Sequence, residues 1–258
     1  MTANLTDKIF SVAPDGSTAT LNLAGYQIHK HSAQSLSREV HTRYQNGQKT
    51  ALFFANANFV VQCGDLRKAL AHKDVIIVND GVGMDMAAKI IHGETFFENL
   101  NGTDFVPLLL KNSTQPLKIF LYGAKPESVA GAAEVIKSFG QDVVGFLDGY
   151  QRDKNRVLTQ IQNSGADIVL VALGNPEQER WILQHANTLS PRIFIGVGAL
   201  FDFLSGSIQR APAWVRKLRL EWFYRLCREP QRLGRRYTID LFAFFTMCFR
   251  DTQRKRVN

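Results

Sequence analysis

Ile168-Val-Leu-Val-Ala-Leu-Gly-Asn-Pro-Glu-Gln-Glu179 decides the fold. Its first six residues are an unbroken apolar run, the pattern of a buried strand. Gly174 then breaks the run, and Pro176 followed by acidic and amide residues opens a helix, since proline and acidic side chains suit a helix's first turn. The segment is therefore a strand feeding directly into a helix. Similar apolar runs occur at Thr50-Ala-Leu-Phe-Phe-Ala, Val75-Ile-Ile-Val, Leu117-Lys-Ile-Phe-Leu-Tyr and Arg192-Ile-Phe-Ile-Gly-Val, with helical patterns at 64–71, 126–139, 154–164 and 176–189 between them. Alternating strands and helices predict an α/β fold with a mostly parallel sheet, because parallel neighbours need crossover helices.

Glycine marks the carboxyl end of several of these strands: Asn79-Asp80-Gly81-Val82-Gly83, Tyr122-Gly123-Ala124, Leu173-Gly174-Asn175 and Gly196-Val197-Gly198. In open α/β sheets ligands bind outside the carboxyl ends of the strands, where the backbone can approach phosphate. Four such ends predict a nucleotide pocket, although any one glycine would equally serve a tight turn. Neither G-x-G-x-x-G opening a first βαβ unit nor G-x-x-x-x-G-K-[ST] is present, which argues against an NAD-type dehydrogenase or epimerase and against a P-loop enzyme.

The charge is unevenly placed. Residues 207–258 hold thirteen Arg and Lys against four acidic residues, so subtracting this +9 from the chain's +8 leaves residues 1–206 at −1. The expected division is a core over 1–206 and a basic C-terminal appendage over 207–258, built of two amphipathic helices at about 212–227 and 230–250 and divided at Glu229-Pro230. Trp214, Trp222, Phe223 and Tyr224 are interleaved with its cations, a composition suited to an anionic membrane surface. The most apolar stretch, Tyr237 to Phe249, is too short to span a bilayer and contains Asp240. Peripheral attachment is expected, with a second subunit, the enzyme's own pocket or lipid as alternative covers for the apolar face.

An arginine-rich aromatic tail could also hold nucleic acid. The near-neutral body with its strand-end glycines speaks against that reading. Cys63, Cys227 and Cys248 are widely spaced, which fits neither a disulfide framework nor a zinc site, and the amino-terminal residues show no secretory pattern. A cytoplasmic location is expected, with no cofactor.

Asp80 follows an apolar strand and precedes glycine, where a partly desolvated carboxylate could act as a general base or merely cap a turn. Asp85 and Asp104 read as helix-surface or capping residues. Gln178 could bond a sugar or base, Glu179 complements the helix dipole, and Asp202, set among apolar residues, needs a partner that a ribose or base would supply. No Asp-X-Asp pair is present and the histidines lack ligand spacing beyond His29/His31, so a metal-free mechanism is expected.

Taken together, Asn79-Asp80-Gly81-Val82-Gly83, Gly102-Thr103-Asp104, Gly174 through Glu179, Gly196-Val197-Gly198, Phe201-Asp202, and Arg210-Ala211-Pro212 through Leu220–Leu226 to Glu229-Pro230 and Arg235-Arg236-Tyr237 resemble the WecG/TagA/CpsF glycosyltransferases, glycosyltransferase family 26. The resemblance implies a Rossmann-like enzyme that moves a sugar, with inversion, from a UDP-sugar to a polyprenyl-diphosphate-linked sugar at the cytoplasmic membrane face. It implies Asp80 as general base and a donor site drawing on Asn56, Asn58, Asn99, Gly123, Gly174, Gln178 and Asp202. Arg210, Arg216, Arg225, Arg228, Arg235 and Arg236 would bind lipid phosphates or the acceptor diphosphate, for which guanidinium is suited. Two positions depart from the family pattern: Asn56-Ala57-Asn58 stands where Thr-X-Asn is frequent, and Asn99 where arginine is frequent. The lost cation leads to the expectation of a neutral hexose donor such as glucose, used in exopolysaccharide assembly, with N-acetylmannosamine or its uronic acid as the alternative.

Overall fold

The computed structural model describes residues 19–212, 214–215 and 220–257. Eight strands form one sheet: β1 (Thr20–Leu23), β2 (Tyr26–His29), β3 (Thr50–Ala55), β4 (Val75–Asn79), β5 (Lys118–Gly123), β6 (Asp142–Leu147), β7 (Ile168–Ala172) and β8 (Ile193–Gly196). Their spatial order is β1-β2-β4-β3-β8-β7-β5-β6. Only the β1/β2 hairpin is antiparallel; every other pairing is parallel. The expected α/β architecture with a mostly parallel, Rossmann-like sheet is observed.

The apolar runs lack polar alternation because both faces of the sheet are covered. Side chains sort by parity. Val169 and Val171 join Ala51, Phe53, Ile77 and Phe194 on one face, while Ile168, Leu170 and Ala172 join Leu52, Ile76, Ile119 and Ile195 on the other. Helices α2 (Ala57–Gln62), α3 (Arg67–Leu70), α4 (Val82–His92), α7 (Lys154–Asn163) and α8 (Glu177–His185) cover the first face. The second is covered by α1 (Ala33–Gln45), α5 (Gly102–Lys111), α6 (Pro126–Ser138) and α9 (Leu200–Leu204).

The sequence reading omits the β1/β2 hairpin, β6 and helices α1, α2, α4, α5 and α9. β6 escapes because it is an edge strand with incomplete burial and Gly145 in its middle, where a Cβ would lie 2.6 Å from the Phe120 ring. The hairpin strands are only four residues long. The helix expected at 64–71 is a 3₁₀ turn followed by α3, and that expected to reach 189 ends at His185.

The tail's first described helix, α10, runs Glu221–Arg228, and the break at Glu229-Pro230 is where the proline predicts it. The single helix expected beyond it is instead α11 (Pro230–Arg235), a wide π turn (Arg236–Asp240) and α12 (Leu241–Val257). α12 packs on α2 and α4 and buries Phe244 and Cys248 in the first face's core. Asn58 Nδ2 donates to Asp240 Oδ2 at 3.0 Å, a polar tie between α2 and the π turn. The apolar stretch 237–249 is thus two-sided: one side is core, and Ile239, Phe242 and Phe249 on the other are exposed. Among the described residues no helix is long and apolar enough to cross a membrane.

Candidate active site

Connections leave β5 and β7 in opposite directions, towards β6 on one side and β8 on the other. Such a reversal opens a crevice at the carboxyl edge of a parallel sheet. A cavity of about 660 Å³ lies there, within the range of small-molecule sites. Its wall draws on the ends of β3, β4, β5, β7 and β8, on α5 and α9, and on Glu221, Trp222 and Leu241 from the tail.

Asp80 lies directly beyond β4, its backbone N–H held by Ala55 O at 2.7 Å. Asn56 caps α2 by accepting from Phe59 N at 3.1 Å, which turns its Nδ2 towards Asp80 Oδ2 at 3.2 Å. The cap thereby fixes the direction of the amide that holds the carboxylate. Gly81 has φ +94, a conformation that disfavours a side chain, and its N–H donates to Asn99 Oδ1. Asn99 therefore orders the Asp80-Gly81 turn from the loop before α5. Asn79, beneath it, is fully buried and donates to Glu98 O at 2.9 Å, a role that its position at the end of an apolar strand conceals.

Gln178 and Glu179 lie deeper. Gln178 Oε1 accepts from Gly198 N at 3.0 Å, and its Nε2 donates to Glu179 Oε1 at 2.7 Å and Asn175 Oδ1 at 3.3 Å. The expected sugar- or base-bonding amide is thus engaged within the protein. Glu179 is completely buried rather than a surface complement to the helix dipole. Burial pushes its carboxyl up to about 7, against the opposing pull of hydrogen bonds from Gln178, its own backbone and Cys63. Cys63 Sγ lies 3.7 Å from Glu179 Oε2, and burial together with that carboxylate raises the thiol, leaving it unreactive.

Asn56, Asn58, Asp80, Asn99, Gly174, Gln178 and Asp202 all line the cavity. Asp202 has no hydrogen-bond or ion-pair partner for its carboxylate among the described residues. Gly123 lies beneath the wall, which Ala124 forms; its φ of +124 and a Cβ position 2.4 Å from Ala172 O admit only glycine. Thr103, Glu221 and Trp222, named from sequence only within motifs or as tail composition, also line the cavity, as do Tyr150 and Leu241, which the sequence reading omits because their approach depends on loop and tail placement.

The arginines divide. Arg210 Nη1 donates to Asp104 Oδ1 at 2.6 Å, with Glu221 Oε2 3.4 Å from Nη2, joining α5 to the tail at the cavity wall. Arg228 bonds Gln209 and the Tyr224 hydroxyl on the tail surface, and Arg235 is exposed. None of these three lines the cavity. The side chains of Arg225 and Arg236, and all of Arg216, lie outside the described residues. His29 and His31 stack at 6.3 Å and pair with Ile77 backbone and Ser35 Oγ; burial lowers both, His31 to about 4. Among the described residues no three His, Cys, Asp or Glu side chains are grouped to hold a metal.

The family model described as the Glycosyl transferase WecG/TagA/CpsF family matches residues 21–258. The chain is 36% identical over 170 residues to an N-acetylglucosaminyldiphosphoundecaprenol N-acetyl-beta-D-mannosaminyltransferase of Bacillus subtilis (strain 168), covering 65% of this chain and 66% of that one. The enzyme of the same description from Bacillus spizizenii is 35% identical over the same proportions. That of Staphylococcus aureus (strain MW2) is 26% identical over 244 residues, 91% of this chain and 94% of its own. The matched stretch thus spans about two thirds of the Bacillus relatives and nearly all of the staphylococcal one. A parallel sheet with its cavity at the carboxyl edge, a carboxylate at the end of β4 and a tail that helps wall the cavity accompany this match over nearly the whole sequence, and the chain belongs to the WecG/TagA/CpsF family of glycosyl transferases.

Proposed function

We propose that the protein transfers N-acetylmannosamine from a UDP-sugar to N-acetylglucosamine carried on a polyprenyl diphosphate, with inversion at the anomeric carbon. The observation that carries this reading is Asp80, held by Asn56 at the wall of a strand-end cavity in a member of this family. The relatives' sugar is N-acetylmannosamine, and the expectation of glucose gives way to it. The argument from Asn99 does not oppose this, because an N-acetyl group is uncharged and needs no cation. Asn99 instead orders the turn that carries Asp80.

In this reading Asp80 takes the proton of the acceptor hydroxyl as its oxygen attacks the anomeric carbon. Assistance of that kind contributes on the order of 10² to 10⁴ in rate. Asp202 receives donors of the ribose or base, and the departing diphosphate is met by backbone amides at the amino ends of α4 and α8, both of which border the cavity. This reading invokes no metal, in keeping with the missing Asp-X-Asp pair. The exposed Trp214, Phe223, Ile239, Phe242 and Phe249, set among arginines, suit peripheral contact with an anionic membrane surface, where the acceptor's polyprenyl chain resides.

The test is transfer of radiolabelled sugar from a panel of UDP-sugars to polyprenyl-diphosphate-linked N-acetylglucosamine in detergent. Product from UDP-N-acetylmannosamine alone is expected. Product from UDP-glucose alone would restore the hexose reading, and no product from any donor on intact acceptor would sink the proposal.

A further inference from the structure

We infer that Glu179 is a positioning residue: a buried carboxylate that fixes the Gln178 side chain as a bracket between the two loops that follow β7 and β8 at the cavity. The inference rests on the donor-cavity reading only for its binding consequence; the bracket itself stands on geometry.

Gly198 N–H needs an acceptor, so the Gln178 amide must present Oε1 to it, and the observed distance is 3.0 Å. The Nε2 group then points the other way and needs two acceptors. They are Asn175 Oδ1 at 3.3 Å, on the loop after β7, and Glu179 Oε1 at 2.7 Å, the shorter and charge-assisted contact. Gln178 is almost wholly buried and Glu179 wholly so and behind the cavity wall, which shields their mutual contact from solvent. Packing leaves the bracket little room, since a Cβ on Gly196 would meet Gln178 Nε2 at 3.1 Å. Remove the Glu179 acceptor and the amide has no strong reason to keep its orientation. If it turns over, Nε2 faces the Gly198 N–H, donor against donor, and the Gly198 loop must move. Gly174, Asn175, Val197 and Gly198 all line the cavity, so both loops that the bracket joins belong to its wall.

A buried carboxylate is costly to ionise in such a place, and burial raises its carboxyl to about 7. Removing the carboxylate relieves the cost of desolvating its charge, which offsets the cost of leaving Gln178 Nε2 one acceptor short. Stability and binding should therefore move in different directions, which a merely structural glutamate would not produce.

Full-length Glu179→Met and Glu179→Gln proteins would be compared with the parent by thermal unfolding, by UDP titration and by hydrogen exchange at Gly198. Glu179→Met is expected to unfold no earlier than the parent yet to bind UDP roughly ten-fold or more weakly, the loss of one charge-assisted hydrogen bond. Its Gly198 amide should exchange faster, and in the transfer assay its donor KM should rise more than its kcat falls. Glu179→Gln keeps an acceptor oxygen and is expected to recover most of the binding. Adding Gln178→Ala to Glu179→Met should cost little more than Gln178→Ala alone, because both act through one amide. Unchanged Gly198 exchange with unchanged UDP affinity in Glu179→Met would overturn the inference. So would equal loss of binding in both Glu179 variants. A parent that binds no UDP would overturn the donor reading, while the Gly198 exchange would still decide the bracket.

Discussion

Replacing Asp80 by asparagine separates chemistry from binding, and the structure specifies how. Asn56 cannot turn its amide over, because its Oδ1 is committed to capping α2 through Phe59 N. Its Nδ2 therefore continues to seek an acceptor at position 80, now 3.2 Å away as Asp80 Oδ2. In Asp80→Asn the new carboxamide meets that demand with its oxygen and must send its NH₂ the other way. A proton donor then stands where the acceptor hydroxyl needs a proton acceptor. The fold has little reason to change: the two side chains are nearly isosteric, the backbone contact of residue 80 with Ala55 O remains, and Gly81 keeps its bond to Asn99. Loss of general-base assistance costs on the order of 10² to 10⁴ in kcat, or about 3 to 5 kcal/mol in the barrier. The assay is single-turnover transfer to the lipid-linked acceptor at saturating donor, paired with UDP titration by calorimetry. Turnover within about ten-fold of the parent would refute the role of Asp80 as base. A parallel loss of UDP affinity would refute the argument that Asn56 preserves the site.

Three further outcomes follow from the same geometry. Glu179 has a folded-state carboxyl at about 7 against 4.5 for the free group. The folded state thus binds the extra proton between those values, and the group's contribution lowers stability as pH rises through that window, by an amount on the order of 3 kcal/mol. The stability of Glu179→Met relative to the parent should grow from pH 5 to pH 7.5 in denaturant titrations; a constant difference would contradict it. Taking the difference between the two proteins removes the opposing contribution of His29 and His31, whose lowered values make stability rise with pH over the acid part of that range. Gly123→Ala should destabilise by about 2 to 4 kcal/mol, because its Cβ would lie 2.4 Å from Ala172 O at a φ of +124; a midpoint shift in urea checks this. Phe223→Ser with Phe242→Ser removes two exposed rings while leaving the buried Phe244 in place. Flotation with anionic liposomes should fall about ten-fold or more, with unfolding temperature nearly unchanged.

Much of the candidate site's lining was legible in the sequence because strand-end motifs are local. The chain must leave a buried strand, turn and enter a helix within a few residues, and the glycines and carboxylates of that turn stay adjacent in sequence. Asp80-Gly81 and Gly174 are of this kind. Gln178 shows the limit of such reading: a polar residue on a helix's first turn looks available to a ligand, yet its amide is consumed by Asn175, Glu179 and Gly198. Glu179 was equally hidden, since only the packing of α8 against α2's end and β8 buries it. The sequence predicts a basic amphipathic appendage; its apolar stretch is shared between core and solvent, because α12 meets α2 and α4 on one side only.

By itself, the order of apolar runs and helical segments determined an α/β protein with a mostly parallel sheet, since strands of that length buried on both faces require crossover helices, and the strand-end glycines marked the edge at which the cavity lies. Tertiary structure alone decided which side chains meet there. The strand order places β3 beside β8 although β4 to β7 lie between them in sequence, and contacts such as Asn56 with Asp80, Gln178 with Gly198 and Asn58 with Asp240 depend on that order and on helix packing, neither of which a local pattern encodes.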